Sequence, residues 1–382
     1  MFFSRLGDQV LLFIFPLAAY KISGDASWSG IAFFLESLPR FLMFPIAGIL
    51  CDKMSCLTLL RFSQIARLIA ALLFSIILIA FPSLWLLAIF SIVCGVLSTQ
   101  GFISRDILLP YVFKDAPLEH SIARAQLADQ VGMVSGPLLA GLLLTLVDWV
   151  YVAAFISLFF LISDAFLRRW LLKSNFKDDR DTDRSISFSR SFTIALGVIN
   201  SSTTLKKLIG VTFLSNLMLG IALASSAVVV TGALGLPDFY YGFLQSIGAL
   251  ATIIILMFIG LSSINPHWFG FVGFVFMVCG FTLTGLIGNA FIYFFGFVVL
   301  IGFDKMFSVF VRYTRQQVVE RKDLGKASGF IVLFNNISQP IGGLIFGFVS
   351  LGGLSYVAWL VSLISIMVFV VFWPSLKSIQ VP

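Results

Sequence analysis

Charge is what these 382 residues have least of: Asp, Glu, Lys and Arg make up 11%, against 59% hydrophobic residues and a mean hydropathy of +1.04. So little polar surface cannot coat a water-soluble globule of this length. Histidine is nearly absent. Only His120 and His267 occur, both predicted in loops, so no buried histidine cluster points to transition-metal passage or hydrolysis. Cys51, Cys56, Cys94 and Cys279 lack metal-ligand spacing, and the first two fall at a predicted cytoplasmic membrane edge, where thiols stay reduced, so no disulfide is expected. No Gly-x-x-x-x-Gly-Lys-Ser/Thr phosphate loop is present, which excludes ATP hydrolysis by the chain itself. No Ser, Cys or His constellation suggests an enzyme, and no cofactor or metal site is expected.

What the sequence has in abundance is long apolar runs. They fall at 6–20, 28–50, 57–81, 84–104, 122–147 and 150–171, then at 208–234, 240–261, 269–286, 290–311, 327–350 and 354–372. At ~1.5 Å per residue, runs of this kind cross a ~30 Å hydrocarbon core as helices. The expectation is an all-α polytopic membrane protein with twelve transmembrane helices. Residues 1–19 also have the outline of a signal peptide, with Arg5 ahead of an apolar stretch ending in Ala18 and Ala19. Eleven further segments favour a retained first helix.

Lys and Arg gather in alternate gaps. Arg5 comes first, Lys53, Arg61 and Arg67 follow the second segment, and Arg105, Lys114 and Arg124 follow the fourth. Arg168 to Lys207 follow the sixth, Lys305 to Lys326 surround the end of the tenth, and Lys377 follows the last. On this count only Arg40 lies well inside a segment, and only Lys21 breaks the alternation. The positive-inside bias then puts both termini in the cytoplasm of a multi-pass plasma membrane protein, the inner membrane in a Gram-negative cell. The net charge of +7 is spread over loops, which fits the anionic surface of a lipid bilayer and not a nucleic acid.

Residues 173–190 are dense in charge of both signs and nearly free of apolar residues, as a solvated cytoplasmic linker must be. The chain thus divides into an N-terminal six-helix half (1–172), a linker (173–206) and a C-terminal six-helix half (207–382). In each half a basic loop leads into a helix with Pro and then Gly in its middle, Pro137 with Gly141 and Pro340 with Gly343. Two pseudo-symmetric halves are what a parallel repeat of six helices produces.

Gly48-Ile-Leu-Cys-Asp52-Lys53, at the end of the second segment, resembles the short motif between helices two and three of major facilitator superfamily transporters. The resemblance implies that Gly48 permits close helix approach and that Asp52, beside Lys53, meets the positive end of another helix as a conformational gate. Ser55, Cys56 and Leu57 depart from the motif, with Arg61 a turn further on as a possible electrostatic substitute. Gly132, Gly136, Pro137 and Gly141 resemble the antiporter motif of the fifth helix, where small residues four apart let backbones pack and Pro bends the helix. Ser4-Arg5-Leu6-Gly7-Asp8, Pro39-Arg40, Pro45, Leu109-Pro110 and Arg124-Ala125 resemble the drug and siderophore exporter branch, which includes macrolide and enterobactin exporters. The resemblance implies the major facilitator fold and export of bulky organic molecules in exchange for protons. Residues 84–101 lack the Arg that many proton-coupled exporters of the superfamily carry in helix four, with Arg40 a conceivable replacement.

Charges inside hydrocarbon are expensive and mark candidate sites. Asp8 lies ~20 Å from the outer edge, and Arg40 ~18 Å above Asp52 with Glu36 a turn higher. Glu36 and Arg40 can pair at i, i+4, either as a permanent bridge or as a proton-switched one. Asp129 faces a packed helix, Asp304 sits beside Lys305, and Asp164 is explained by a surface-level pair with Arg168. The proton-coupling candidates are Asp8, Glu36, Arg40, Asp129 and Asp304. Gln100, Asn216, Gln245, Asn335, Asn336 and Gln339 are candidate substrate-lining residues, or glue between helices. The 43 Phe residues suit an apolar pocket or lipid contact.

The sequence therefore predicts a secondary active transporter, functional as a monomer, exporting a small molecule by proton antiport and alternating access. Proton-coupled import of a metabolite or ferri-siderophore remains open at this stage. So does a transport-inactive receptor or assembly factor with the same fold.

Overall fold

The computed structural model describes residues 2–112, 118–174, 188–262, 266–318, 330–331 and 333–377. Side chains are described for all of these except 52, 109–112, 118–127, 173–174, 188–191, 194–195, 266, 316 and 377. No strand occurs among the described residues. The helices are α1 (Phe2–Ser23), α2 (Ala26–Lys53), α3 (Cys56–Ala80), α4 (Leu84–Val112), α5 (Leu118–Leu143) and α6 (Trp149–Ser174). Then come α7 (Phe188–Ser201), α8 (Thr203–Val228, closed by a π turn), α9 (Asp238–Leu261), α10 (Pro266–Thr284), α11 (Ala290–Val318) and α12 (Ser338–Lys377).

Ten described stretches are long and apolar enough to span a membrane, the last of them Leu333–Leu376. That stretch breaks at Ser350, whose φ of 57° is left-handed, so it forms two spans, as the predicted gap between 350 and 354 requires. Among the described residues, counting that stretch as two spans and adding α5, which is not one of the ten, gives the twelve long helices that the sequence predicts. The fourth and tenth predicted segments run on as helix beyond 104 and 311, to Val112 and Val318. Inside the predicted linker, α7 starts at Phe188, and its Phe192 ring lies 5.3 Å from that of Phe330.

In α3 the helical period separates two environments. Leu59, Ser63, Arg67, Ala70 and Ala71 are buried, whereas Phe62, Ile69, Leu73 and Ile76 are exposed as a lipid-facing surface must be. The helix starts where the Ser55 hydroxyl accepts from Thr58 N and ends ahead of Pro82, which cannot continue it.

The chain clusters into two compact units. The first comprises Met1–Gly24 and Leu35–Phe188, and the second Asp25–Phe34 and Ser189–Pro382. In the first, α1 packs on α5 and α6, and α3 on α4 and α6. In the second, α8 packs on α12 and α10 on α11. Glycines set the closest approaches. A Cβ on Gly220 of α8 would strike the backbone of Gln339, and one on Gly342 of α12 the backbone of Leu217 and Ile221. Likewise Gly30, in the α2 segment of the second unit, meets the backbone of Gly343 and Gly347, while Ser29 Oγ donates to Ala224 O at 3.0 Å.

Pro340 differs from its predicted counterpart. Pro137 stands inside α5, whereas Pro340 is in the first turn of α12, just after a turn at Ile337, where a missing N–H costs nothing. Because backbone meets backbone at Gly220, Gly220→Val is expected to destabilise the protein by about 1–3 kcal/mol. Thermal unfolding in detergent, set against Gly48→Val as an unhindered control, measures it, since a Cβ on Gly48 meets nothing within 4 Å.

Candidate functional site

Arg67 stands in the middle of α3, on its buried face, and is 1% exposed. A guanidinium at that depth needs acceptors on every side. Nη1 forms an ion pair with Asp8 Oδ1 of α1, and Nε donates to Ser63 O at 3.0 Å. Nη2 reaches Ser4 Oγ at 3.2 Å and Ser63 Oγ at 3.4 Å, and the group lies 4.7 Å from the centre of the Phe160 ring. A second arginine ties α4 to α5. Arg105 holds both oxygens of Asp129, each at 2.6 Å, in a bidentate fork, and reaches Asp106 at 3.3 Å.

Both arginines border one small cleft, together with Ser4, Arg5, Asp8 and Gln64. Phe102 stands in its wall with two guanidiniums near its ring, Arg105 at 4.9 Å and Arg5 at 5.8 Å from the centroid. Gln64 is 4% exposed, and its Oε1 has no hydrogen-bond partner. Gly132 and Gly136 let α5 approach α1, since a Cβ on either would press on Arg5 or Gln9 of α1. The small residues of the antiporter-like motif therefore seat α5 against α1; Pro137 and Gly141 are buried beside them.

One stretch of α2 belongs to this unit too. Glu36 Oε1 pairs with Arg40 Nη2 one turn on, as the spacing predicts. Glu36 Oε2 and Arg40 Nε are buried without a partner. Glu36 is near enough to Asp8 and Arg5 to feel their charges. Gly95 lets α4 pack on the Glu36 carbonyl, and Thr99 Oγ1 donates to Arg40 O at 3.1 Å. The fold thus gathers Asp8, Glu36, Arg40 and Asp129 in one unit around Arg5, Arg67 and Arg105.

Other expectations change. Arg67 and Arg105, counted as loop charges, are buried in helices, so Arg40 is not alone inside a segment. Arg67 is flanked by apolar residues on both sides within segment 57–81, a signal that a count by gaps overlooks. Asp164 pairs with Arg168 at 2.6 Å as the spacing predicts, but it is itself buried, 5% exposed, and also accepts from Arg61 at 3.3 Å. Arg61 is thereby committed to α6. Both histidines lie in helices, His120 in α5 and a buried His267 in α10 against Phe310. Gly48 has open space beside it, so among the described residues no helix uses its smallness, and Lys53 is exposed. The Asp52 side chain lies outside those described.

In the second unit, Asp304 pairs with its neighbour Lys305 at 2.8 Å. The amides there join helices: Asn216 donates to Asn335 O at 3.0 Å and Gln245 to Ser226 Oγ at 3.1 Å. Asn336 and Gln339 are half-buried near the start of α12, the Gln339 carbonyl against Gly220. Gln100, in the first unit, donates to Ser104 Oγ at 3.0 Å.

A family model described as Major Facilitator Superfamily matches residues 1–314. Among solved structures, a bacterial homologue of the iron transporter ferroportin, in an inward-facing state, is 16% identical with a TM-score of 0.72, over 99% of this chain and 96% of that one. The nucleoside transporter NupG is 13% identical with a TM-score of 0.72, over 100% of both chains. The xylose transporter XylE from E. coli is 10% identical with a TM-score of 0.70, over 97% of this chain and 94% of that one. No curated protein matches the sequence.

Removing one partner of the buried Asp8–Arg67 pair strands the other. Arg67→Met is expected to cost about 3–5 kcal/mol, and Arg67→Met with Asp8→Leu distinctly less than the single change. Chemical unfolding of the purified single and double variants measures both. A double variant no more stable than Arg67→Met would refute the assignment.

Proposed function

The chain belongs to the Major Facilitator Superfamily and is a membrane transporter of that type, and we propose that it exports a small organic molecule in exchange for protons. The observation that carries the coupling is the buried Glu36. One of its oxygens is held by Arg40, and the other has no partner among the described residues. The carboxylates of Asp8, Asp129 and Asp304 are each engaged by a neighbouring cation, Arg67, Arg105 or Lys305. Glu36 Oε2 is therefore the open acceptor at which a proton can reside. Protonation there weakens the hold on Arg40 and lets the guanidinium turn to another acceptor, so proton occupancy and the arrangement of α2 are linked.

Export rests on the resemblance of the Ser4 to Asp8 segment, Pro39-Arg40 and the Gly136-Pro137 helix to drug and siderophore exporters. The structural neighbours do not select a substrate, because the three similar proteins are described by iron, a nucleoside and xylose. Alternating access is the mechanism the family membership supports, with both termini in the cytoplasm by the distribution of Lys and Arg. Asp52, at the end of α2, is the proposed gate.

The substrate is found by comparing small molecules inside cells and in the medium, with and without the gene, in iron-replete and iron-limited growth. Export retains a compound in the deletion strain and removes it from the medium. A compound left unconsumed in the medium means import. With the substrate in hand, proteoliposomes test the coupling: Glu36→Gln should lose accumulation driven by a pH gradient yet keep exchange of labelled for unlabelled substrate. Gradient-driven transport equal to wild type would remove Glu36 from the mechanism. Asp52→Asn should lower turnover with substrate affinity nearly unchanged, and the same assay reads it as kcat against KM.

A further inference from the structure

We propose that the cleft between α1, α3 and α4 is a receptor for an organic anion, whose carboxylate or phosphate is taken by the guanidinium of Arg5. The proposal rests on the transport reading and adds a substrate class to it. Its first ground is how the donors and acceptors are spent. Arg67 uses Nε, Nη1 and Nη2 within the protein, and Arg105 fills both oxygens of Asp129. Arg5 has no hydrogen bond or ion pair among the described residues. Its only described contact of that kind is the face of Phe102, and its Nε is buried without an acceptor.

The neighbouring carboxylates do not serve Arg5. Asp8 turns one oxygen to Arg67, Asp129 gives both to Arg105, and Asp106 lies half-exposed against Arg105. Arg5 feels the charges of Asp8, Asp129, Arg40 and Arg105 but bonds to none. Counting the residues that line the cleft, Arg5, Arg67 and Arg105 face a single carboxylate, Asp8. A positively charged ligand would meet three guanidiniums there; an anion meets an unspent planar fork suited to two oxygens.

The second ground is Gln64. Its side chain lines the same cleft, is 4% exposed, and leaves Oε1 unpartnered. A buried amide costs stability unless something completes its bonding, so the site is built for a ligand that also offers a hydrogen-bond donor. Phe102 and Leu60 supply the apolar walls against which a planar or aromatic body can lie. An anionic lipid headgroup has the same chemistry as a soluble organic anion, and lipid composition separates the two sources.

Three probes of nearly equal shape test the charge directly: benzoate, benzamide and benzamidine. Each is titrated against the purified full-length protein, in nanodiscs of neutral lipid and in nanodiscs containing phosphatidylglycerol, with calorimetry as the readout. Benzoate is expected to bind in neutral lipid and the other two to bind at least about tenfold more weakly. Arg5→Gln should weaken benzoate by about tenfold or more and Arg5→Lys should restore part of the affinity, whereas Gln64→Met should leave it nearly unchanged, because ionised benzoate has no donor to offer Oε1. Loss of benzoate binding only in phosphatidylglycerol discs would assign the cleft to lipid headgroups, still as an anion site. Preference for benzamide or benzamidine, benzoate affinity unchanged by Arg5→Gln, or binding of none of the three would overturn the proposal. Substrate exchange in proteoliposomes is measured on the same protein, so that active transport without anion preference sinks this inference and leaves the transport reading intact.

Discussion

A bilayer has no water in its core to solvate a charge, so a guanidinium buried there must find all its partners inside the protein. The first unit is organised by that requirement. The Asp8–Arg67 pair joins α1 to α3, and the Arg105–Asp129 fork joins α4 to α5. Lipid tails are as apolar as leucine, so burial of apolar surface gives these helices little reason to prefer one another to lipid. Polar pairing and close packing decide instead which helices touch and in what register. Around the two pairs the rest follows: Ser4 and Ser63 complete the Arg67 shell, and Gly132 and Gly136 let α5 approach α1 closely.

Within one unit, charged side chains divide into those whose bonding is complete and those whose bonding is not. Arg67 has every nitrogen engaged and an aromatic ring beside it, the condition of a structural residue. Glu36, Arg40, Arg5 and Gln64 each keep a buried polar atom without a partner. Unsatisfied polar atoms in a native interior are rare, and each is costly to maintain. In this unit the saturated pairs hold the frame, and these unsaturated groups are open to protons and ligand.

Much of the fold was legible in the sequence because hydrocarbon thickness dictates segment length, and the break at Ser350 fell at the predicted end of an apolar run, beside the short gap before the next. Residues 175–187 of the predicted linker lie outside those described, and α7 at its end was not readable, because a helix of 14 residues is too short to register as a span. Side-chain partners were legible only when local. Glu36 and Arg40 stand one turn apart and pair as expected, whereas Asp8 and Arg67 are 59 residues apart and no spacing rule joins them. Arg67 and Arg105 went unnoticed for a related reason. Counting basic residues by gap assigns any arginine near a segment end to the loop, while α4 continues as helix to Val112 and Arg67 is already well inside α3.

The two units solve the same packing problem by different means. In the second, Gly220 and Gly342 bring α8 and α12 into backbone contact, Asn216 reaches the Asn335 carbonyl, and Gln245 reaches Ser226. Its one described intramembrane ion pair, Asp304 with Lys305, joins neighbours on a single helix and ties no two helices together. Neutral amides and glycines suffice to hold helices, so ion pairs in the first unit are not required by folding alone. Neutral partners of similar volume often replace buried ion pairs without loss of stability. The presence of four buried or half-buried charged groups around one cleft, in a chain with so few charges, is thus better accounted for by a task that needs charge than by the needs of the fold.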